Sequence, residues 1–182
     1  MRAEPNPCRH GPSRSVEPWT GEPGTAGRVA VIGAGKMGLP LAAQYASHGW
    51  RVTAVDVRRD VVDLINAGTS PLSSDEEPGV PELVAEGSRT GRLSATADAA
   101  AAVRGADVVV LIVPVMLTAD HEPDFTIMDA AVDSILPGLH PGITVIFETT
   151  LPVGETRRRF VPRLEAASGL RLDDDLFVAF SP

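Results

Sequence analysis

A glycine-rich turn between an apolar run and a helical pattern is the feature that most restricts how this chain can fold. The run RVAVIG (28–33) has the β-branched composition of a buried strand. Residues 36–48 then carry apolar side chains at helical spacing, and Gly49 marks the helix end. Between the two lies GAGKMG (33–38), a GxGxxG pattern. A strand that enters a helix through this pattern is typical of a dinucleotide-binding βαβ unit.

Each glycine of this pattern has its own expected role. Gly33 permits the tight turn, Gly35 lets the backbone approach a pyrophosphate, and Gly38 lets the helix pack closely on the strand. The free N–H groups of the helix N-terminus would then bind the phosphate charge. Lys36 either contacts phosphate or stays solvated, and solvation is favoured because such loops bind through backbone amides. The alternative is a glycine turn that binds no ligand.

An acidic residue follows at the position that this kind of site requires. The second expected strand, RVTAVD (51–56), ends in Asp56, about 20 residues beyond the glycine pattern. A carboxylate there can accept hydrogen bonds from both adenosine ribose hydroxyls and would repel a 2′-phosphate, which favours NAD over NADP. Arg58 and Arg59 follow closely and would weaken that preference. The alternative is that Asp56 only caps a turn.

Strands and helices alternate along the rest of the chain, as is typical of a doubly wound α/β fold. The run ADVVVLIVP (106–114) is apolar from its third residue onward, as expected for a central strand covered on both faces. Residues 68–81 are polar and predict a long loop. The expected strands are 28–33, 51–56, 92–96, 106–114, 143–148 and 176–180; the expected helices are 36–48, 61–67, 82–87, 98–104, 127–136 and 155–167, the last interrupted near Pro162. The prediction is a Rossmann-type, doubly wound parallel sheet of about six strands.

The two ends of the chain differ from this pattern. Residues 1–27 are rich in proline and have no apolar stretch, which predicts a flexible tail and not a signal peptide. The expected domain spans residues 28–182. The chain stops at Pro182, directly after the last strand, where an open α/β sheet contributes to its ligand site, so a truncated chain is expected.

Composition excludes several classes of protein. The net charge of −8 argues against a nucleic-acid partner, and no apolar run is long enough to span a membrane. Cys8 is the only cysteine, which excludes a disulfide framework and a thiolate zinc cluster, and no metal site is expected. A reduced, cytoplasmic protein is therefore expected.

Seven segments in order carry a resemblance to a known family. They are GAGKMGLPLA (33–42), VD (55–56), NAGTSPLSSDEEPGVPELV (66–84), GRLSATAD (91–98), ADVVVLIVPV (106–115), ETTLPVGET (148–156) and FVAFSP (177–182). In these segments the chain resembles the UDP-glucose/GDP-mannose dehydrogenases, which oxidise C6 of a nucleotide sugar to a carboxylate with two NAD. The resemblance implies an NAD-binding domain of such an enzyme, acting on UDP-glucose or a UDP-N-acetylhexosamine, and a homo-oligomer at full length.

The resemblance also implies roles for individual residues. The pyrophosphate would be lined by Gly33, Gly35, Met37 and Gly38, the ribose would be held by Asp56, and the other side of the cleft would be bordered by Val113 and Pro114.

Two residues are implied at the reacting end of the cofactor. Thr150 matches a threonine near the nicotinamide, where a neutral hydroxyl can both donate and accept; its alternative role is to cap the helix that begins near Glu155. Glu148 matches the acid that opens the same motif, and its alternative is a strand-end carboxylate in solvent.

The chain departs from the family at three points. A basic residue is usual five positions beyond the ribose acid, where this chain has Val61, and a threonine is usual after the VP pair, where it has Val115. The family completes its second oxidation on a cysteine, whereas Cys8 lies ahead of the first strand. The chain alone is therefore expected to bind NAD without turning over substrate. Two alternatives stay open: a β-hydroxyacid dehydrogenase-like NAD domain, whose glycine loop is similar, and a non-catalytic NAD-binding module.

Overall fold

A six-stranded parallel sheet organises the chain in the computed structural model, which describes residues 27–181. The strands are β1 (Arg28–Ile32), β2 (Arg51–Val55), β3 (Leu93–Thr96), β4 (Val108–Leu111), β5 (Met116–Leu117), β6 (Pro123–Asp124), β7 (Ile143–Glu148) and β8 (Leu176–Ser181). The helices are α1 (Gly38–Ser47), α2 (Arg59–Asn66), α3 (Val80–Arg89), α4 (Ala99–Arg104), α5 (Thr126–Ile135) and α6 (Val161–Ser168), with a 3₁₀ turn at Leu136–Gly138 and a π-helical turn at Thr156–Phe160.

The strand order places a crevice at the carboxyl ends of the central strands. The order is β3-β2-β1-β4-β7-β8, and every neighbouring pair is parallel. The chain thus starts in the middle, runs to one side, and returns across β1 to build the other side. The reversal falls between β1 and β4, where the loops leaving the two strands diverge and leave a binding crevice. The predicted doubly wound sheet of six strands is confirmed.

Two separate cores lie on the two faces of this sheet. Helices α1, α2 and α3 cover one face, where Leu39 and Ile65 are fully buried. Helices α4, α5 and α6 cover the other, where Phe147 and Phe160 stack with ring centroids 5.0 Å apart. Successive residues of β1 alternate between the two cores, because side chains of a strand point to opposite faces. This double coverage explains the uninterrupted apolar runs of the central strands.

The fourth strand is shorter than its apolar run predicts. It ends at Leu111, and the amide of Ile112 makes the last bond to the sheet, 3.0 Å from the Ile32 carbonyl. Two residues on stands Pro114, which has no N–H to continue the ladder. The chain then forms β5 and β6, a small antiparallel hairpin that the sequence did not predict.

Helix boundaries differ most from expectation at α3. Helix α3 runs over Val80–Arg89, longer at both ends than the predicted 82–87, and therefore begins inside the expected loop at 68–81. The predicted interruption near Pro162 is confirmed as the π-helical turn that precedes α6. Pro162 has no N–H, so the backbone bond that would continue an α-helix there cannot form.

Some expectations concern parts of the chain outside this description. The flexible tail was expected over residues 1–27, of which 1–26 lie outside the described residues, together with Cys8. Within residues 27–181 no helix is both long and apolar enough to cross a membrane. The same residues contain no group of three His, Cys, Asp or Glu side chains that could hold a metal ion.

Candidate functional site

The glycine loop crosses the carboxyl ends of the central strands. Gly33 has φ +105° and donates its amide to the Val55 carbonyl at 2.8 Å, which ties the loop to the end of β2. A Cβ atom at Gly33 would lie 2.9 Å from the Ile112 carbonyl oxygen and 3.1 Å from Val113 Cγ1. The loop therefore lies directly against the ends of β2 and β4, and only glycine satisfies both the dihedral angle and the space.

The other two glycines of the pattern differ sharply in their surroundings. A Cβ atom on Gly38 would lie 1.8 Å from the Gly33 carbonyl oxygen, so α1 packs on its own loop at a distance that excludes any side chain. A Cβ atom on Gly35 would meet no atom within 4 Å. Gly38 is thus required by internal packing, whereas Gly35 faces open space. The absence of a side chain at Gly35 has a purpose only if something else approaches the backbone there.

Unpaired backbone amides converge on that open space. Helix α1 has no side-chain cap at its N-terminus, and the amides of residues 35–38 have no acceptor among the described residues. Lys36 and Met37 are exposed on the same turn. The helix dipole adds partial positive charge at this end, so the loop offers an anion site made of backbone N–H groups.

Asp56 connects this loop to the next one. The residue is half-buried directly after β2; its Oδ2 accepts from the Ala34 amide at 3.1 Å, and its Oδ1 accepts from the Arg58 amide at 2.9 Å. A carboxylate oxygen accepts more than one hydrogen bond, so both oxygens can still take a hydroxyl from a ligand. The bond to Ala34 holds the carboxylate beside the glycine loop, where the ribose of a dinucleotide lies in folds of this kind.

The far wall of the crevice comes from the end of β4. Val113 is half-buried and lies against the Gly33 backbone, and Pro114 is exposed beside it. Val115 and Val61, the two departures from the family pattern, both face inward: Val115 packs on one core, and Val61 is only 5% exposed in the other. A side chain at the Val61 position therefore belongs to the core in this chain and is not available to a ligand.

The two residues expected at the reacting end of the cofactor also lie at the carboxyl end of the sheet. They are at the end of β7, the strand next to β4. Glu148 is the last residue of β7, and its Oε1 accepts from Ser181 Oγ at 3.0 Å, which links the ends of β7 and β8. Burial raises the pKa of Tyr45 on α1, and the nearby charge of Glu148 adds to that rise. Thr150, two residues beyond, is exposed and its hydroxyl has no partner among the described residues.

The structure adds one polar pair that sequence reasoning missed. Arg58 Nε donates to Asp60 Oδ1 at 3.2 Å, and a second guanidinium nitrogen of Arg58 contacts Asp60 Oδ2. This pair follows directly from Asp56, at the end of the crevice that would hold a ribose. The sequence signal is a pair of opposite charges two residues apart, Arg58 and Asp60 in DVRRD (56–60).

Two further features lie around the crevice. A groove of about 680 Å³ between α2, α4 and α5 is lined by Arg59, Asp63, Thr96 and Asp98 among others, and contains no residue of the glycine loop. On the opposite side, hydrogen bonds from Ser73 lower the pKa of Glu76 in the loop before α3, and the charge of Lys36 adds a smaller effect. This loop therefore lies within electrostatic range of the glycine turn.

The geometry agrees with the comparison against known families. Residues 27–182 match the model of the UDP-glucose/GDP-mannose dehydrogenase family, NAD binding domain. The chain belongs to this family. The match decides between the two enzyme families that the glycine loop alone left open, and it makes NAD the cofactor of this NAD-binding domain.

Individual relatives support the same assignment. The chain is 33% identical over 155 residues to the UDP-N-acetyl-D-mannosamine dehydrogenase of Pyrococcus horikoshii, covering 85% of this chain and 36% of that protein. It is 38% identical over 130 residues to the enzyme of the same name from Salmonella typhimurium, covering 71% and 29%. A solved structure of Pseudomonas aeruginosa GDP-mannose dehydrogenase, in a ternary complex, superposes with a TM-score of 0.77 at 30% identity, covering 83% and 35%. The chain thus spans about one third of the length of the relatives that it matches.

Proposed function

We propose that this domain serves an enzyme that oxidises a UDP-sugar, a UDP-N-acetylhexosamine in preference to UDP-glucose, to the uronate at C6. The change from a primary alcohol to a carboxylate removes four electrons, so each sugar requires two NAD and one water. The proposed substrate class follows the Pyrococcus horikoshii and Salmonella typhimurium relatives, at 33% and 38% identity, both of which carry the name UDP-N-acetyl-D-mannosamine dehydrogenase.

The observation that carries the cofactor part of this proposal is the contrast between Gly35 and Gly38. Internal packing explains Gly38, whereas Gly35 borders open space with unpaired amides beside it. We assign the pyrophosphate to the backbone of Gly33, Gly35, Met37 and Gly38, with Lys36 as a solvated neighbour. The adenosine ribose is assigned to Asp56, and Val113 and Pro114 form the opposite wall. The cofactor, when bound, supplies the hydride acceptor.

At the reacting end, we assign contact with substrate or cofactor to Thr150. Its exposed hydroxyl has no partner among the described residues and stays neutral beside a cationic ring. Glu148 is assigned to positioning, because its bond to Ser181 aligns the ends of β7 and β8, between which the loop with Thr150 begins. The proposed role of Glu148 is therefore positional: its carboxylate would affect the site by aligning these two strand ends.

Titration of the chain with NAD and NADP tests the cofactor site. We expect NAD to bind more tightly than NADP, and Asp56→Ala to weaken NAD binding about tenfold or more, as the loss of charge-assisted hydrogen bonds predicts. Asp107→Ala is the matched control, because Asp107 also accepts from a backbone amide, that of Arg28 at 2.8 Å, but at the opposite end of the strands. Preference for NADP, or equal losses in the two variants, would contradict the assignment of Asp56.

The substrate class is tested on the full-length protein. NADH formation is measured with UDP-N-acetylmannosamine, UDP-N-acetylglucosamine, UDP-glucose and GDP-mannose, and we expect two NADH per molecule of the preferred UDP-N-acetylhexosamine. Preference for GDP-mannose would overturn the substrate proposal, and one NADH per sugar would overturn the proposed reaction. Light scattering on the same sample tests the proposed homo-oligomer.

A further inference from the structure

We propose that Asp60 sets the preference of this site for NAD over NADP by holding the Arg58 guanidinium away from a 2′-phosphate. The inference rests on the proposed assignment of the adenosine ribose to Asp56. Arg58 and Asp60 follow that carboxylate in the chain, and as a pair they would select the cofactor.

The first step is the location of Arg58. Its backbone amide donates to Asp56 Oδ1 at 2.9 Å, so the Cα of Arg58 is fixed beside the carboxylate that would receive the ribose hydroxyls. A phosphate on the 2′-oxygen would enter this same turn. Val57, the residue between them, is 92% exposed and does not shield the turn. Arg58 is therefore the cation in position to bind such a phosphate, and alone it would favour NADP.

The Arg58 guanidinium already binds another group through two of its nitrogens. Asp60 accepts from Nε and from one terminal nitrogen of Arg58, and so occupies one of the nitrogen pairs with which a guanidinium binds a carboxylate or a phosphate in parallel. A 2′-phosphate and Asp60 thus compete for the same edge. Asp60 lies in the first turn of α2, where the helix dipole favours a negative charge. The hydrogen bond from Arg58 also lowers the pKa of Asp60, which keeps the competitor ionised.

The third step is the local charge. Within residues 56–60 the two carboxylates of Asp56 and Asp60 balance the two guanidinium groups of Arg58 and Arg59. Arg59 lines the neighbouring groove together with Asp63 and Asp98. Removal of the Asp60 charge leaves the turn net positive and frees the bonding edge of Arg58. Both changes favour a dianionic phosphate over a ribose hydroxyl.

The test is a titration of four variants with NAD and NADP, each checked for folding by circular dichroism. In Asp60→Asn, we expect the ratio of the NADP to the NAD dissociation constant to fall about two- to fivefold, the range set by an exposed ion pair. Asp63→Asn, the matched control, removes one negative charge from the next turn of the same helix and should leave the ratio within about 1.5-fold. Arg58→Gln alone should not lower the ratio, because it removes a cation from the turn and frees none.

The double variant Asp60→Asn/Arg58→Gln tests whether the gain of Asp60→Asn requires the Arg58 guanidinium. We expect it to return the ratio to the wild-type value, since the gain of Asp60→Asn needs a free Arg58. A flat ratio in Asp60→Asn, an equal fall in Asp63→Asn, or a gain that survives Arg58→Gln would each overturn the inference while leaving the NAD site intact. A wild-type chain that binds no NAD would instead overturn the proposed cofactor site, and this inference with it.

Discussion

At the residue scale, the glycines of the turn meet two different requirements, one from the fold and one from cofactor binding. Gly33 and Gly38 are required by the fold, since the first has φ +105° and the second touches the Gly33 carbonyl. Gly35 has no positive φ and no neighbour, so the fold does not require it. Stability and cofactor binding should therefore respond differently to the same substitution at different glycines.

Alanine substitutions at two glycines test this separation. Gly38→Ala forces a Cβ atom against backbone, which should cost about 1–3 kcal/mol of unfolding free energy or more, as overpacking does. Gly35→Ala, the matched control, should leave the free energy of unfolding within about 0.5 kcal/mol and weaken NAD binding, because the methyl group enters the space assigned to the pyrophosphate. Urea denaturation and NAD titration measure the two effects. A destabilised Gly35→Ala with unchanged NAD affinity would reverse the assignment.

At the scale of elements, side chains bind backbone N–H and C=O groups that the sheet leaves without a strand partner. β3 is an edge strand, and Asn66 at the end of α2 bonds it like a neighbouring strand. Asn66 Oδ1 accepts from the Ala95 amide at 2.8 Å, and Asn66 Nδ2 donates to the Ala95 carbonyl at 2.9 Å. One amide side chain thus satisfies both backbone groups of an edge residue and fixes α2 to the sheet.

Loss of this amide should loosen the edge. Asn66→Ala is expected to lower the free energy of unfolding by about 1–2 kcal/mol, because two partly buried backbone groups lose their partners. Ser88→Ala serves as the control, since Ser88 Oγ makes one exposed bond to the Asn66 carbonyl at 3.2 Å. Hydrogen exchange at the Ala95 amide measures the effect directly. Unchanged protection in Asn66→Ala would show that the bond from Ala95 to Asn66 does not stabilise the edge strand.

A second side-chain cluster joins α5 to α6. Asp129 on α5 accepts from Arg159 and from Arg163, and the Arg159 guanidinium carbon lies 4.5 Å from the centre of the Phe125 ring. The hydrogen bond from Arg159 lowers the pKa of Asp129, and the charges of both arginines add to this. The carboxylate is therefore more stable in the folded chain than in the unfolded one.

The sign of the resulting pH dependence follows from that lowered pKa. The stabilisation by Asp129 should be complete above its ordinary pKa of 3.8 and should disappear as pH falls through the lower value of the folded state. Asp129→Asn should thus cost about 1–2 kcal/mol at neutral pH, and the cost should shrink as pH falls below the ordinary pKa. Asp133→Asn is the control, because Asp133 makes a single ion pair among the described residues, with Arg163, and its side chain is 55% exposed. A cost of Asp129→Asn that persists at low pH would exclude the ion pair as its cause.

At the scale of the whole molecule, the crevice joins the two halves of the sheet. The glycine loop and Asp56 come from the β1–β3 half, whereas Val113 and Thr150 follow β4 and β7 in the other half. A ligand that contacts both halves binds only the folded chain, so its binding energy adds to the stability of the whole domain.

Thermal and chemical unfolding with cofactor present measure this linkage. NAD at 100 times its dissociation constant should raise the free energy of unfolding by about 2.7 kcal/mol in a single cooperative transition. Equal concentrations of NADP should give a smaller increase, and Asp56→Ala should lose most of the increase with NAD. Two separate transitions, only one of them shifted by NAD, would mean that the halves do not fold as one unit.

Local patterns in the sequence determined the fold class, the glycine turn and the position of Asp56. These features are readable because each depends on neighbours along the chain: apolar runs report burial on both faces, and glycine reports a dihedral angle or a close contact. The family resemblance identified Thr150 and Glu148, which no local rule would have selected. The end of β4 and the β5–β6 hairpin were not readable, since an apolar run does not report where a strand loses its partner.

Only the tertiary structure decided which side chains meet. Asn66 and Ala95 are 29 residues apart, and Asp129 and Arg159 are 30 apart, so their contacts depend on how whole helices lie against the sheet. Arg58 and Asp60 are close in sequence, yet their pairing required the turn geometry that Asp56 imposes. The glycine turn predicted where a dinucleotide would bind, and the packed structure decided which of the nearby charges are paired.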